Sequence, residues 1–241
     1  MFEREARWLG AALAAYAPEA LSPVLNIGSS TGHFRAVVQP WITRDLVAPL
    51  EARGIEVIHT DLRRDEGVDI VADLLDDADF ARLKALAPKA VLCCNLLEHV
   101  TDIDLFARRV TELVPPGGLI FVTGPNSYPH HRDPIDNMFR PTAEEAAARF
   151  PGTMLLEGAV IDAGMSYRDH VKARPWILLR HVFRAPFPFF GWTKWKRSMG
   201  KLYWLANDYR VFCAVLRKEP APAALDVTPV PDALGAGARV R

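Results

Sequence analysis

The sequence holds few cysteines, no long apolar run and no surplus of charge of either sign. Its 241 residues include only three cysteines, Cys93, Cys94 and Cys213. An odd, sparse set without zinc-type spacing argues against a disulfide framework and suits a reducing compartment. No stretch approaches the roughly 18 consecutive apolar residues of a membrane-spanning helix. Glu3 and Glu5 stand where a secretory leader is basic, so no leader is expected and the chain reads as cytoplasmic. Lys plus Arg and Asp plus Glu both number 29. Without an overall field, no nucleic-acid partner is expected.

What is present is the patterning of an α/β chain. Residues 2–16 read as an amphipathic helix. Val24–Ile27 is a short buried strand closed by Gly28. A helix over 33–39 is stopped by Pro40, and another over 43–53 ends at Gly54. Ile55–Thr60 is strand-like and stops at Asp61. Asp69–Ala72 is a further strand, and 77–87 a helix. Ala90–Cys94 is a continuous apolar run, as in a central parallel strand covered on both faces. A helix over 102–113, a turn at Pro115–Gly118 and a strand over 119–123 follow. The alternation predicts a doubly wound, mostly parallel sheet.

After Gly124 the texture changes. Residues 125–142 read as a loop and 143–150 as a short helix. Met154–Asp162 and Tyr209–Arg217 read as strands that pair antiparallel at one sheet edge. Residues 1–218 are expected to form one domain with an inserted helical, aromatic-rich segment at 165–208. The Pro/Ala/Gly-rich stretch 219–241 has little to bury and is expected to be disordered.

The strongest chemical signal is Val24-Leu25-Asn26-Ile27-Gly28-Ser29-Ser30-Thr31-Gly32-His33-Phe34, a buried strand entering a loop of small residues and then a helix. Gly28 and Gly32 let backbone approach a ligand closely. The N–H groups at the helix start favour an electron-rich partner. In dinucleotide folds an acidic residue ending the second strand holds ribose hydroxyls, and Asp61 fits that position.

With these residues the chain resembles the class I S-adenosylmethionine-dependent methyltransferases, especially a small bacterial group often labelled methyltransferase type 11. The resemblance covers about residues 20–126, with a looser match through 162. It implies a Rossmann-like fold, S-adenosylmethionine as cofactor and methyl transfer as activity. The family's first motif stands here as Asn26-Ile27-Gly28-Ser29-Ser30-Thr31-Gly32, with Asn26 in place of an acidic residue and Ser30 in place of the middle glycine. Asp61 matches the ribose-binding acidic residue, and Asp73 resembles the acceptor for the adenine amino group. In Asn95-Leu96-Leu97-Glu98-His99-Val100, Asn95 and Leu96 would line the methionine end. Glu98 reads as a helix-start residue, and the same reading is open for His99. A nicotinamide-dependent oxidoreductase is disfavoured, because its Gly-x-Gly-x-x-Gly fingerprint is replaced by Gly-x-x-x-Gly.

The acceptor is expected at the loop Gly124–Pro141, which lies at the carboxyl edge of the sheet. A hydroxyl acceptor needs alignment and loss of its proton, and neutral histidine suits that work. His131 is the first candidate and His130 the second. Asp133 would orient the imidazole or bind an acceptor hydroxyl, with Asp136 and Arg140 as further acceptor contacts. The His131-x-Asp133 pair supplies only two ligands, so no metal is expected. A small-molecule or glycan acceptor, methylated on oxygen or nitrogen, is the expectation.

Residues 165–208 carry Trp176, Trp192, Trp195 and Trp204 with nine basic residues against Asp169 and Asp208. Interleaved apolar and basic residues suit peripheral contact with a membrane face or a lipid-linked glycan. A helical cap that packs these aromatics on the sheet accounts for them equally. Two further readings stay open on the sequence: a binding module that has lost its cofactor through Asn26 and Ser30, and a membrane-associated scaffold.

Overall fold

The computed structural model describes residues 1–131, 135–189 and 191–220. Its centre is a seven-stranded sheet in the order β3-β2-β1-β4-β5-β7-β6. The strands are β1 (Val24–Ile27), β2 (Val57–Asp61), β3 (Ile70–Val71), β4 (Ala90–Cys94), β5 (Leu119–Ser127), β6 (Thr153–Asp162) and β7 (Arg210–Lys218). The first five run parallel, and β7 enters antiparallel between β5 and β6. The helices are α1 (Glu3–Ala14), α2 (Pro18–Leu21), α3 (Pro40–Ile42), α4 (Ala48–Ala52), α5 (Asp77–Lys84), α6 (Ile103–Leu113), α7 (Ala143–Ala147), α8 (Tyr167–Ala173), α9 (Trp176–Arg184) and α10 (Trp192–Tyr203).

Alternation along the central strands divides the core in two. Leu25, Ile27, Val91, Cys93, Ile120 and Val122 face Phe106, Val110 and Leu113 of α6. Val24, Leu92 and Phe121 face Leu9 and Leu13 of α1 and Leu46 and Leu50 beyond it. Both faces of β1 and β4 are therefore covered, which is why these strands read as unbroken apolar runs. Each fully buried Leu or Phe contributes about 1.5–3 kcal/mol. Asp102 caps α6 by accepting from the Leu105 N–H at 2.9 Å, and such a cap is worth about 1 kcal/mol.

Two expectations are corrected. The segment 33–53 is not two α-helices. It is π-helical over Phe34–Val38 and Thr43–Val47, with α3 beginning at Pro40 rather than stopping there. Proline has no N–H to lose at a first helical position, so it starts a new turn. β5 also runs past Thr123 to Ser127, into what reads as loop. Gly124 and Pro125 pair with Phe212 and Val211 of β7, and β4 pairs no further than Thr123. Pro125 thus sits where one flank of the strand is open.

Register aligns the strand ends. Ile27 lies beside Thr60 of β2 and Cys93 of β4. Gly28, Asp61, Cys94 and Asn95 consequently emerge together at one edge of the sheet.

Candidate active site

A cavity of about 930 Å³ opens at that edge. Gly28, Ser30, Asp61, Asp73, Asn95, Leu96 and His131 all line it, together with Asn26. Its size suits a nucleoside ligand.

The loop after β1 is braced from below. Gly28 has φ +67°, and a Cβ there would stand 2.9 Å from Leu96 Cδ1. Ser30 also adopts a left-handed φ of 57°. Its N–H donates to Asp61 Oδ2 at 2.9 Å, and the Arg63 N–H donates to Asp61 Oδ1 at 3.1 Å. Gly32 does not line the cavity. Its N–H donates to the Glu66 carbonyl at 2.7 Å, and the 66–67 backbone packs where its side chain would be. The buried Arg35 donates to the carbonyls of Ser29, Ser30 and Gly67 at 3.0, 2.6 and 2.6 Å. These bonds hold the loop open without glycine at position 30.

Asn26 turns its amide under the loop, with Nδ2 3.1 Å from Nδ1 of His59, its register partner. Burial, then the nearby Arg35 charge, pushes His59 down to about 4, so the imidazole stays neutral. Asp73 is exposed at the rim, and its Oδ1 accepts from the Leu75 N–H at 2.8 Å. Asn95 takes φ 51° and donates through Nδ2 to Glu5 Oε1 at 2.6 Å. Glu5 is fully buried and also accepts from Thr123 Oγ1 at 2.5 Å and the Phe2 N–H at 2.9 Å. One carboxylate thus ties α1 across the ends of β4 and β5. Burial, followed by Glu5, pushes the Cys94 thiol in the cavity wall up to about 12, leaving no thiolate for nucleophilic work at neutral pH.

The far end of the cavity gathers Glu98, His99 and His131. Glu98 and His99 lie on the 3-10 turn Leu97–His99 after β4. Neither is a mere helix-start residue, because both face the cavity. His131 Nε2 stands 3.3 Å from His99 Nε2. Its Nδ1 lies 3.1 Å from Oδ2 of Asp136. Burial pushes the Asp136 carboxyl up, but the Arg140 guanidinium and the N–H groups of His131 and Met138 outweigh it and hold the group well below the usual carboxylate range. Arg140 Nη2 donates to both Asp136 oxygens at 3.0 and 2.8 Å. Asp136 and Arg140 therefore bind each other. Burial pushes the Glu98 carboxyl upward.

His130 is exposed and does not line the cavity. Asp133 lies outside the described residues, as does the tail from 221. Glu5, Arg35 and His59 carry no motif of their own. Their only sequence signal is an ionisable residue inside an apolar stretch or beside the glycine loop.

Residues 165–208 form α8, α9 and α10. His181 pins them together, with Nε2 2.6 Å from Tyr167 Oη and Nδ1 2.8 Å from Ser198 Oγ. The aromatics do not simply pack on the sheet. Trp176, Phe183 and Trp192 are 61 %, 73 % and 57 % exposed. Among the described residues, no helix is long and apolar enough to cross a membrane.

A mostly parallel α/β sheet with an antiparallel end, and a glycine-turned loop facing a strand-end carboxylate, define a protein of the Rossmann-like class, whose ligands sit at this edge. A sequence profile for a family described as a methyltransferase domain matches residues 1–157, and the chain belongs to that family. No curated protein sequence matches it. Similar solved structures include YjhP from E. coli, at 13 % identity and TM-score 0.48, covering 91 % of this chain and 94 % of that one. Phosphoethanolamine N-methyltransferase 2 of Haemonchus contortus, solved with S-adenosyl-L-methionine, has 16 % identity and TM-score 0.43 over 87 % of this chain and 52 % of that one. Coclaurine N-methyltransferase, bound to N-methylheliamine and S-adenosylhomocysteine, has 13 % identity and TM-score 0.43 over 86 % and 70 %.

The protein is thus an S-adenosylmethionine-dependent methyltransferase. The residues present suit that cofactor: a loop with no side chain at Gly28, acceptor carboxylates at Asp61 and Asp73, and apolar walls from Ile27, Phe34 and Leu96.

Proposed function

We propose that the protein methylates an oxygen or nitrogen of a small-molecule or glycan acceptor, seated at the Glu98–His99–His131 end of the cavity. The observation that carries this reading is continuity: one cavity joins the glycine loop and Asp61 to a cluster of imidazoles and a carboxylate. Asp61 would hold the cofactor ribose, Asp73 the adenine amino group, and Asn95 and Leu96 the methionine end. When bound, S-adenosylmethionine supplies an electrophilic methyl on a sulfonium. The chain's own work is then alignment, exclusion of water and, for a hydroxyl acceptor, removal of its proton. His131 and His99 flank the acceptor hydroxyl and orient it. Asp136, locked by Arg140, keeps the His131 ring from turning. Asp133 belongs to the same loop and is a further candidate for contact with the acceptor.

Transfer of labelled methyl from S-adenosylmethionine to a panel of hydroxyl and amine acceptors tests this reading. His131→Ala is expected to lower kcat by at least tenfold while S-adenosylhomocysteine affinity stays within twofold. Equal turnover in the variant would remove His131 from the acceptor site.

The exposed Trp176, Phe183 and Trp192 among basic neighbours support an acceptor presented at an anionic lipid surface. Flotation with anionic vesicles at low salt is expected to carry the protein upward, and neutral vesicles are expected to leave it behind. Failure to float with either would confine the acceptor to solution.

A further inference from the structure

We propose that Glu98, His99 and His131 form a binding site for one divalent transition-metal cation, which holds and polarises the acceptor oxygen. The inference rests on the reading that the acceptor sits at this end of the cavity.

The geometry is that of three ligands around one point. One donor atom from each residue lies within 4.8 Å of the other two. The two Nε2 atoms stand 3.3 Å apart, and Glu98 Oε1 is 3.9 Å from His99 Nε2. Metal–ligand bonds of about 2.0–2.2 Å place neighbouring ligands about 3.0–3.5 Å apart. Glu98 Oε1 lies outside that spacing, so its carboxylate must turn toward the imidazoles to complete the set.

The outer ring nitrogens fix the tautomers. His99 Nδ1 contacts the Ile135 carbonyl at 2.5 Å. A carbonyl only accepts, so that nitrogen carries the proton. His131 Nδ1 faces the Asp136 carboxylate, which favours a proton there too. Both neutral rings then aim an Nε2 lone pair at the other. Two Nε2 atoms at 3.3 Å are spaced as neighbouring ligands of one cation are. Metal-bound histidines characteristically donate their second N–H to a carbonyl or carboxylate, as His99 does to the Ile135 carbonyl.

The third ligand supplies an independent sign. The Glu98 side chain is 3 % exposed. Its Oε2 is buried and accepts no hydrogen bond among the described residues. A buried carboxylate oxygen without a partner is costly. An extra proton shared by the imidazoles would quiet the two nitrogens and leave Glu98 unanswered. A metal ion bound by the carboxylate would neutralise it and engage both imidazoles.

Two imidazoles and one carboxylate suit Zn²⁺, Mn²⁺, Fe²⁺, Co²⁺ or Ni²⁺ better than the all-oxygen sites of Ca²⁺ or Mg²⁺. Three protein ligands leave coordination positions for water or an acceptor oxygen. The sequence expectation of no metal weighed only His131 with Asp133. Two of the three residues assembled here lie over 30 positions upstream of His131.

Isothermal titration of untagged, chelator-treated full chain with Zn²⁺, and visible spectra with Co²⁺, test the site. One equivalent is expected to bind, with ligand-field absorption from nitrogen and oxygen donors. His99→Ala, His131→Ala and Glu98→Gln are each expected to weaken Zn²⁺ binding by at least tenfold. S-adenosylhomocysteine binding, measured in metal-free protein, confirms that each variant is folded. Its retention separates this proposal from the methyltransferase reading, since the cofactor half of the cavity needs no metal. No stoichiometric Zn²⁺ binding by the wild-type chain, or binding unchanged in His99→Ala and His131→Ala, overturns the proposal.

Discussion

Replacing Gly28 with alanine probes the cofactor loop where backbone and cavity wall meet. Two costs follow from the geometry. An alanine at φ +67° costs about 1–2 kcal/mol relative to glycine. Its Cβ would also stand 2.9 and 3.0 Å from the two Leu96 methyls, so Leu96 must move in the cavity it lines. Gly54 provides the control. Its φ is +72°, and nothing lies within 4 Å of a Cβ built there. Both variants should therefore lose the backbone contribution, a fall of about 2–8 °C in Tm for a chain of this size, with Gly28→Ala losing more through the Leu96 contact. Only Gly28→Ala should lose cofactor affinity, by tenfold or more, which is about 1.4 kcal/mol. Differential scanning calorimetry and titration with S-adenosylhomocysteine read the two effects separately. Wild-type affinity in folded Gly28→Ala, or an equal loss in Gly54→Ala, would refute the reasoning.

Asp61→Asn keeps one acceptor oxygen where the carboxylate has two. It should weaken S-adenosylhomocysteine binding by about 1.5–3 kcal/mol, roughly 10- to 150-fold, and calorimetry showing no change would rule out a charged contact. His59 supplies a pH dependence. Its folded value, about 4, lies below the unfolded value near 6.5, so its stabilisation is complete above pH 6.5 and is lost as pH falls toward 4. The loss should reach about 2–3 kcal/mol. Urea unfolding at pH 7 and pH 4.5 should show a smaller pH difference in His59→Gln than in wild type; equal differences would show that His59 does not titrate this way.

Legibility followed sequence distance. β1 and β4 could be read because they are covered on both faces, and Ala90–Cys94 has the predicted bounds. The β6–β7 pair could be read from two apolar stretches, of which Val211–Leu216 is buried throughout. The extension of β5 through Pro125 could not, because its partner β7 arrives some 85 positions later. One half of the cavity was legible as well: Gly28, Ser30 and Asp61, which line it, follow from a glycine loop after a first strand and an acid after the second. The other half was not. Glu5 owes its place to Thr123, 118 positions away, and His99 to His131, 32 away. Such meetings leave no local spacing to read. Arg35 hid for a different reason. A basic residue one turn into a helix ordinarily faces solvent, and this one is buried by the three carbonyls it holds.

The most direct test of the whole account is a crystal structure of the full chain with S-adenosylhomocysteine. The account predicts the ribose hydroxyls on Asp61, the homocysteine beside Asn95 and Leu96, and the sulfur facing the Glu98–His99–His131 end. A nucleoside bound away from the Gly28–Gly32 loop, or a sulfur turned from the histidines, would contradict it.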